Sequence, residues 1–142
     1  MERGLRVLVL TTLFPHRPGE KEGNFILDQV RALAEHGAEV VVVVAKPWFP
    51  VQSLAPHKKR KIDANAYADE RFHVRNAQYF SLPRFALGVR AYEYARNGVL
   101  PEIRDIAEQQ EFDVVHAHGF LMGDTALQIA RVWETPSVVT VN

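Results

Sequence analysis

The stretch EFDVVHAHGF, residues 111–120, decides the fold. Its branched apolar residues predict a short buried strand that runs into a glycine-containing loop. Side chains alternate between the two faces of a strand, so Val114, His116 and His118 are expected on one face. If this is the fourth strand of an open parallel sheet, His118 lies at its carboxyl end, where such sheets bind their ligands.

Strand and helix patterns alternate along the rest of the chain. Short apolar runs predict strands, and apolar residues at helical spacing predict helices. The predicted strands are 5–10, 39–45 (ended by Pro47), 71–80, 113–117 and 137–141; the predicted helices are 25–36, 85–110 and 123–134, with a loop or short helix over 47–61. The alternation predicts an α/β, Rossmann-like, doubly wound and mainly parallel sheet with helices on both faces.

Capping and helix-breaking residues refine the helix predictions. Asn24 is the expected N-cap of the first helix, Asp28 is expected in its first turn, and Gly37 is placed to end it. In the second helix, Gly98 and Pro101 are expected to kink or split the element.

Composition excludes several classes of function. The chain has 142 residues, enough for about one domain, and its 17 basic residues balance 17 acidic ones. No global field is therefore available to attract nucleic acid, and no nucleic-acid partner is expected. The absence of cysteine excludes disulfides and thiolate metal sites. The N-terminal residues lack the long apolar core of a signal peptide, so a cytoplasmic protein is expected.

Seven pieces of sequence, in this order, carry a resemblance to a known family. They are LRVLVLTTLFP at 5–15, GNF at 23–25, EHGAEV at 35–40, PWFP at 47–50, YFSLPRF at 79–85, DVVHAH at 113–118 and PSVVTV at 136–141. Together they resemble the N-terminal domain of family 4 (group 1) glycosyltransferases. Within that family the chain is most similar to the branch that makes cell-surface polysaccharides such as teichuronic acid.

The resemblance implies half of a GT-B enzyme. In such enzymes two Rossmann-like domains face a cleft; the C-terminal domain holds the nucleotide-sugar and the N-terminal domain holds most of the glycan or lipid-linked acceptor. Residues 1–142 would then form a single acceptor-side domain, with the donor-binding domain absent and the chain alone inactive. The family mostly retains anomeric configuration in hexosyl-type transfer, with the leaving phosphate helping to deprotonate the acceptor. The resemblance implies no cofactor and no metal ion.

The loop of residues 11–24 is longer than a plain strand-to-helix turn, and its last residues are candidate ligands. Gly23 and Asn24 open the first predicted helix, whose free N–H groups favour an anion. The resemblance implies that this glycine loop approaches the donor diphosphate; the alternative is an ordinary capped turn. The loop is neither a Walker A motif nor a G-x-G-x-x-G fingerprint, which counts against a nicotinamide enzyme.

The two histidines allow three interpretations. His116 and His118 are spaced to be two ligands of a metal ion, but no third ligand is apparent nearby. His116, within the strand, is typical of a hydrogen-bonded core histidine, and it is also a candidate for substrate binding. The resemblance implies that His118 positions the acceptor, and an imidazole with a pKa near 6.5 can accept a hydroxyl proton near neutral pH. Gly119 and Phe120 are then expected to shape the pocket.

Two further regions are candidates for binding. The family usually has Thr-x-His or Thr-x-Arg after the last strand; here Asn142 stands in that place and is a weak substrate-binding candidate. The run Lys58, Lys59, Arg60 and Lys61 is the most concentrated positive charge, and with Trp48 it suggests peripheral contact with the inner face of the plasma membrane. The alternative is a solvated loop, because like charges repel.

Two other classes of function stay open. The chain stops at Asn142, directly after a strand that is expected to be buried. A stand-alone binding module without catalysis would expose that strand and favour a homodimer made edge to edge. An unrelated Rossmann-type small-molecule transferase would instead bind a nucleotide tightly on this chain alone.

Overall fold

The computed structural model describes residues 3–49, 61–82 and 87–141. Five strands form one parallel sheet in the order β3-β2-β1-β4-β5. Along the chain the elements are β1 (Arg6–Thr11), α1 (Asn24–Glu35), β2 (Glu39–Trp48), a 3₁₀ turn (Ala64–Tyr67), β3 (His73–Phe80), α2 (Arg90–Gln109), β4 (Val114–His118), α3 (Phe120–Trp133) and β5 (Ser137–Thr140). The predicted Rossmann-like α/β fold is confirmed.

Two apolar layers cover the two faces of the sheet. On one face, alternate residues of β1 and β2, such as Val9 and Val42, pack on Ile26, Leu27 and Val30 of α1. On the other face, the intervening strand residues pack on α2 and α3. Each fully buried Val or Leu contributes roughly 1.5–3 kcal/mol. Helices therefore lie on both faces, as predicted.

The face beneath α1 is only partly covered. The buried residues of the α1 layer come from β1, β2 and the segments around them, and none comes from β4 or β5. On this side Val138 of β5 is 49% exposed, and its register partner His116 is partly buried. The β5 side of this face is therefore partly exposed in the described part of the chain, whereas His118 of β4 is buried.

Strand β2 continues past the proline that was predicted to end it. Pro47 pairs in register with Tyr79, and Trp48 accepts a hydrogen bond from Ser81 N–H at 2.9 Å. Because backbone groups alternate in direction along a strand, the nitrogen of Pro47 faces the side of β1. Strand β1 has already ended at Thr11, opposite Val44, so no ladder hydrogen bond is lost there.

Helix α2 is unbroken, against the prediction of a kink or split. Pro101 lies inside the helix on its exposed side, where water can solvate the carbonyl group that loses its partner. Gly98 has a packing role, because a Cβ there would lie 2.6 Å from the Cα of Tyr79 and would also meet the carbonyl of Gln78. The predicted start at 85 lies outside the described residues, and the described helix begins at Arg90.

The other helix ends agree with the prediction in part. Helix α1 ends in a Schellman motif, with Gly37 at φ 94 and the N–H of Ala38 donating to the carbonyl of Leu33 at 3.0 Å. Helix α3 begins at Phe120, three residues before the predicted start, because Gly119 caps it. No helix in ranges 3–49, 61–82 and 87–141 combines the length and apolarity needed to cross a membrane.

Because α2 packs closely on β3, replacing Gly98 with alanine should destabilise the protein, which is the opposite of the effect expected from helix propensity. Gly98→Ala should lower the free energy of unfolding by at least about 1–3 kcal/mol, because the methyl group meets the backbone of β3. Helix propensity alone predicts a gain of about 1 kcal/mol. Urea unfolding measures the difference. Asn97→Ala, at the exposed neighbouring position, is the control and should be neutral or slightly stabilising; stabilisation by Gly98→Ala would contradict the packing.

Candidate functional site

The order of the strands places a crevice between β1 and β4. From β1 the chain proceeds outward to β2 and β3 on one side, and then returns to β4 and β5 on the other. In open α/β sheets, ligands bind at the carboxyl ends of the strands where the direction reverses. His118 lies at the carboxyl end of β4, as predicted, although the strand includes it and ends one residue later than the predicted 113–117; it therefore lies at this switch point.

The strand register brings the polar side chains of Thr11, His118 and Thr140 to the α1 face of the sheet. Thr11 pairs with Val44, and His118 pairs with Thr140. Thr11 is fully buried, and its hydroxyl both donates to the Leu13 carbonyl at 2.9 Å and accepts from the Leu13 N–H at 3.0 Å. These two bonds fix the direction in which the chain leaves β1. They therefore also fix the start of the β1–α1 loop, which borders the crevice.

His116 already has a hydrogen-bond partner in the protein. Its Nε2 lies 2.8 Å from the hydroxyl oxygen of Thr140, and the direction of this bond follows the tautomer. Burial lowers the pKa of His116. The ring of His118 lies beside it, with the centroids 4.4 Å apart and the planes inclined by 32°. The partner at Thr140 fits a structural histidine, and a role for His116 in substrate binding stays a prediction.

His118 is buried with an unused nitrogen. Its side chain is 4% exposed, and its Nδ1 finds no hydrogen-bond partner among the described residues. Burial, with the charge of His116 as a second cause, lowers the pKa of His118 to about 4. Burial thus moves the pKa of His118 below the ordinary imidazole value near 6.5 on which the sequence analysis relied. At neutral pH the ring is uncharged, with one nitrogen that donates and one that accepts.

Gly23, and not Asn24, caps α1. Gly23 has φ 76, and a Cβ there would lie 2.7 Å from the backbone of Phe14, so only glycine fits against the β1–α1 loop. Asn24 is the first helical residue and makes no side-chain cap, and Asp28 lies beyond the first turn, which holds no acidic residue. The loop thus approaches the helix N-terminus through backbone alone.

The second helix at the crevice, α3, is capped by Gly119. This residue has φ 86, its N–H donates to the Thr140 carbonyl at 2.9 Å, and its carbonyl accepts the Gly123 N–H at the same distance. Phe120 is 67% exposed at the rim of the crevice, and Phe25, at the start of α1, is also exposed. Asn142 lies outside the described residues.

Lys46 lies at the site but was not predicted. It follows Val44 on the α1 face of β2, and its Nζ donates to the Thr12 carbonyl at 2.9 Å. Burial lowers the pKa of Lys46, and the negative charge of Glu22 partly offsets this effect. The alternation Val40, Val42, Val44 points to Lys46, but ending the strand before Pro47 concealed it.

The predicted membrane residues are only partly described. Lys58, Lys59 and Arg60 lie outside the described residues, whereas Lys61 is exposed. Trp48 is partly exposed, and its ring centroid lies 6.1 Å from that of Phe80. Membrane contact by this region stays a prediction.

Two kinds of feature besides the histidine site could hold a ligand: clusters of possible metal ligands, and a cavity at the other end of the sheet. Within ranges 3–49, 61–82 and 87–141, no group of three or more His, Cys, Asp and Glu side chains is arranged to hold a metal ion. A cavity of about 370 Å³ lined by Gln110, Glu111, Phe112, Trp133 and their neighbours lies where α2 and α3 end. That is the amino edge of the sheet, opposite to the histidines.

The burial of His118 predicts how stability depends on pH. Above pH 6.5 the ring is neutral in both the folded and unfolded states; between pH 6.5 and about 4 only the unfolded state binds the proton. The free energy of unfolding should therefore fall as pH falls through this window, by up to about 3 kcal/mol from this group. His118→Gln should flatten the slope. An NMR titration of His118 with its midpoint above pH 6 would contradict the prediction.

The contact between Gly23 and the β1–α1 loop predicts a matched pair of variants. Gly23→Ala should destabilise by about 1–2 kcal/mol for the left-handed backbone plus a clash with Phe14. Gly19→Ala, at φ 99 with nothing within 4 Å of the new Cβ, should lose only the backbone part. Thermal unfolding compares the two. Equal losses would mean that the loop does not press on Gly23.

Solved structures show the same fold. The structure of the glycotransferase of kitacinnamycin matches with TM-score 0.62 at 17% identity, over 99% of this chain and 31% of that one. A UGT transferase from Siraitia grosvenorii in complex with UDP matches with TM-score 0.55 at 19% identity, over 94% of this chain and 27% of that one. The C-terminal domain of a hydrogenase from Pyrococcus furiosus matches with TM-score 0.58 at 13% identity, over 99% and 94%.

These likenesses establish the fold, and the family is established by sequence. The chain spans about a third or less of the length of the two transferases that it matches. No curated protein sequence matches it. The model of the glycosyl transferase 4-like domain matches residues 22–142, which include α1, the histidine strand and β5. The chain therefore belongs to the glycosyl transferase 4-like domain family.

Proposed function

We propose that this chain is the N-terminal, acceptor-side domain of a retaining GT-B glycosyltransferase. The enzyme transfers a sugar from a nucleotide-sugar to a glycan or lipid-linked acceptor. The observation that carries the proposal is His118, a buried neutral imidazole with an unpartnered Nδ1 at the switch point of a domain of this family. A ring held there can bond a sugar hydroxyl in the crevice.

A second domain would supply the donor site. Both transferases that share the fold are about three times longer than this chain, and the one from Siraitia grosvenorii was solved with UDP. A nucleotide diphosphate bound between two domains would approach the β1–α1 loop, where Gly23 keeps side chains away from the start of α1. Asn24 is the first residue of that helix. This geometry supports a diphosphate contact through backbone N–H groups.

The lowered pKa defines the role of His118 in the transfer. A ring with a pKa of about 4 is a weak base at neutral pH, so it would orient the acceptor hydroxyl by donating an N–H hydrogen bond to its oxygen, which leaves the hydroxyl proton free for the phosphate. In front-face transfer the hydroxyl oxygen bonds to the anomeric carbon as the bond to the leaving phosphate breaks. The hydroxyl proton passes to a phosphate oxygen, and no metal ion or enzymic nucleophile takes part.

The proposal also includes contact between this domain and the membrane that carries its acceptor. A lipid-linked acceptor of cell-surface polysaccharide synthesis, such as teichuronic acid, would bring the enzyme to the cytoplasmic face of an anionic bilayer. Lys61 is exposed and Trp48 is partly exposed, as such contact requires. Each basic residue near such a surface contributes about 1 kcal/mol.

A stand-alone binding module is the second candidate function. Strand β5 pairs only with β4 among the described residues, and Val139 on it and Val141 just after it are exposed. A homodimer formed edge to edge through β5 would cover these residues. Light scattering distinguishes a dimer from a monomer, and a monomer at high concentration would contradict this candidate.

A transfer assay tests the main proposal. The chain alone, and the chain joined to a donor-binding domain of the family, are given a panel of nucleotide-sugars and lipid-linked or glycan acceptors. Transfer is expected only from the joined protein. His118→Ala should lower kcat/KM by about 100-fold, since misplacing a reacting group by 1 Å has an effect of that size.

The matched control is His36→Ala, which removes an exposed imidazole at the end of α1, far from β4. It should leave kcat/KM unchanged. Transfer by the 142-residue chain alone would contradict the two-domain proposal. Full activity of His118→Ala in the joined protein would contradict the assigned role of this residue.

A further inference from the structure

We infer that Lys46 binds a phosphoryl group of the substrate in the crevice beside the β1–α1 loop. The inference rests on the proposed function and deepens it, because it names a residue and a chemical group that the acceptor-side domain would recognise. Three observations carry it: where β2 places the ammonium group, which charges surround it, and what lies across the crevice.

The extension of β2 places Lys46 at the crevice. Val44 is the last β2 residue paired with β1, opposite Thr11, and Lys46 is two residues further along on the same face. Its stem therefore runs over the point where β1 ends. The ammonium group donates to the carbonyl of Thr12 at 2.9 Å, at the start of the loop that leads to Gly23.

The charge of Lys46 is not paired. In the described part of the chain, seven ion pairs join arginines to carboxylates, and none includes Lys46. The negative charge of Glu22 favours the charged form of Lys46, but its carboxylate oxygens lie more than 4 Å from the ammonium nitrogen. Partly buried cations usually have a partner, because burial without one is unfavourable. An ammonium group has three donors, and the bond to Thr12 uses one.

A second polar group, His118, lies on the other side of the crevice. Strands β2 and β4 are separated by β1, so their axes are about 10 Å apart. His118 lies on the same face as Lys46, is 4% exposed, and has the unpartnered Nδ1. A ligand that spans the two residues would present a phosphoryl group to Lys46 and a hydroxyl group to His118. A sugar phosphate and a nucleotide-sugar both have this form.

Binding of defined anions tests the inference. Isothermal titration of the chain with inorganic phosphate, inorganic diphosphate and UDP is compared for the wild type, Lys46→Met and Lys46→Arg. Lys46→Met keeps the apolar stem and removes the charge. The control, Arg131→Met, removes one exposed positive charge in the last turn of α3, near the opposite edge of the sheet.

The inference predicts that Lys46→Met weakens binding of at least one anion about tenfold, since a hydrogen bond to a charged group has an effect of this order. Lys46→Arg should restore the Kd to within threefold, and Arg131→Met should change it less than twofold. Weaker binding of UDP and diphosphate assigns the phosphoryl group to the donor. Weaker binding of inorganic phosphate alone assigns it to a phosphorylated acceptor.

Two results would overturn the inference. One is equal affinity of Lys46→Met and the wild type for all three anions, including no measurable binding by either. The other is a loss of binding that only follows a loss of structure, with the melting temperature lowered. If Lys46→Met does not fold, Lys46→Gln, which keeps a donor for Thr12, replaces it. These readouts need no sugar transfer, so the inference and the proposed function fail separately.

Discussion

The structure depends on the burial of β1 between β2 and β4. Its residues from Val7 to Thr11 are buried, and it contributes to both apolar layers while pairing with a parallel strand on each side. A parallel strand in this position must be followed by crossovers in both directions, which creates the switch point. The stability of the sheet and the location of the crevice therefore have one origin: both follow from the central position of β1 in the sheet.

Burial also determines what the histidine pair can do. The core layers hold β4 in place, and His116 is anchored by Thr140, so the ring of His118 has little freedom to move towards water. Two imidazoles with centroids 4.4 Å apart disfavour charge on either ring. The result is a neutral hydrogen-bonding group with a fixed orientation. At neutral pH such a group forms hydrogen bonds more readily than it accepts a proton.

The sequence predicted the elements whose signal is local, and missed features that depend on distant contacts. Strand β4 and the position of His118 were predicted because branched apolar residues and period-2 alternation are read within a few residues. Asn24 was expected to cap α1 on propensity, but contact with Phe14 requires Gly23. Lys46 was missed because Pro47 normally ends a strand, and only the early end of β1 makes it harmless. The pKa of His118 follows from burial by the whole domain.

The unequal lengths of the strands give the sheet a stepped edge. Strands β2 and β3 continue together as a two-stranded ribbon, from Ala45 to Trp48 and from Ala77 to Phe80, after β1 has ended. At about 3.3 Å per residue, the ribbon projects roughly 13 Å beyond β1. The ribbon borders one side of the crevice, and it consists of two paired strands and not of a loop. On the side of β5 the strands end together, because His118 at the end of β4 pairs with Thr140 at the end of β5, so no such extension borders the crevice there among the described residues.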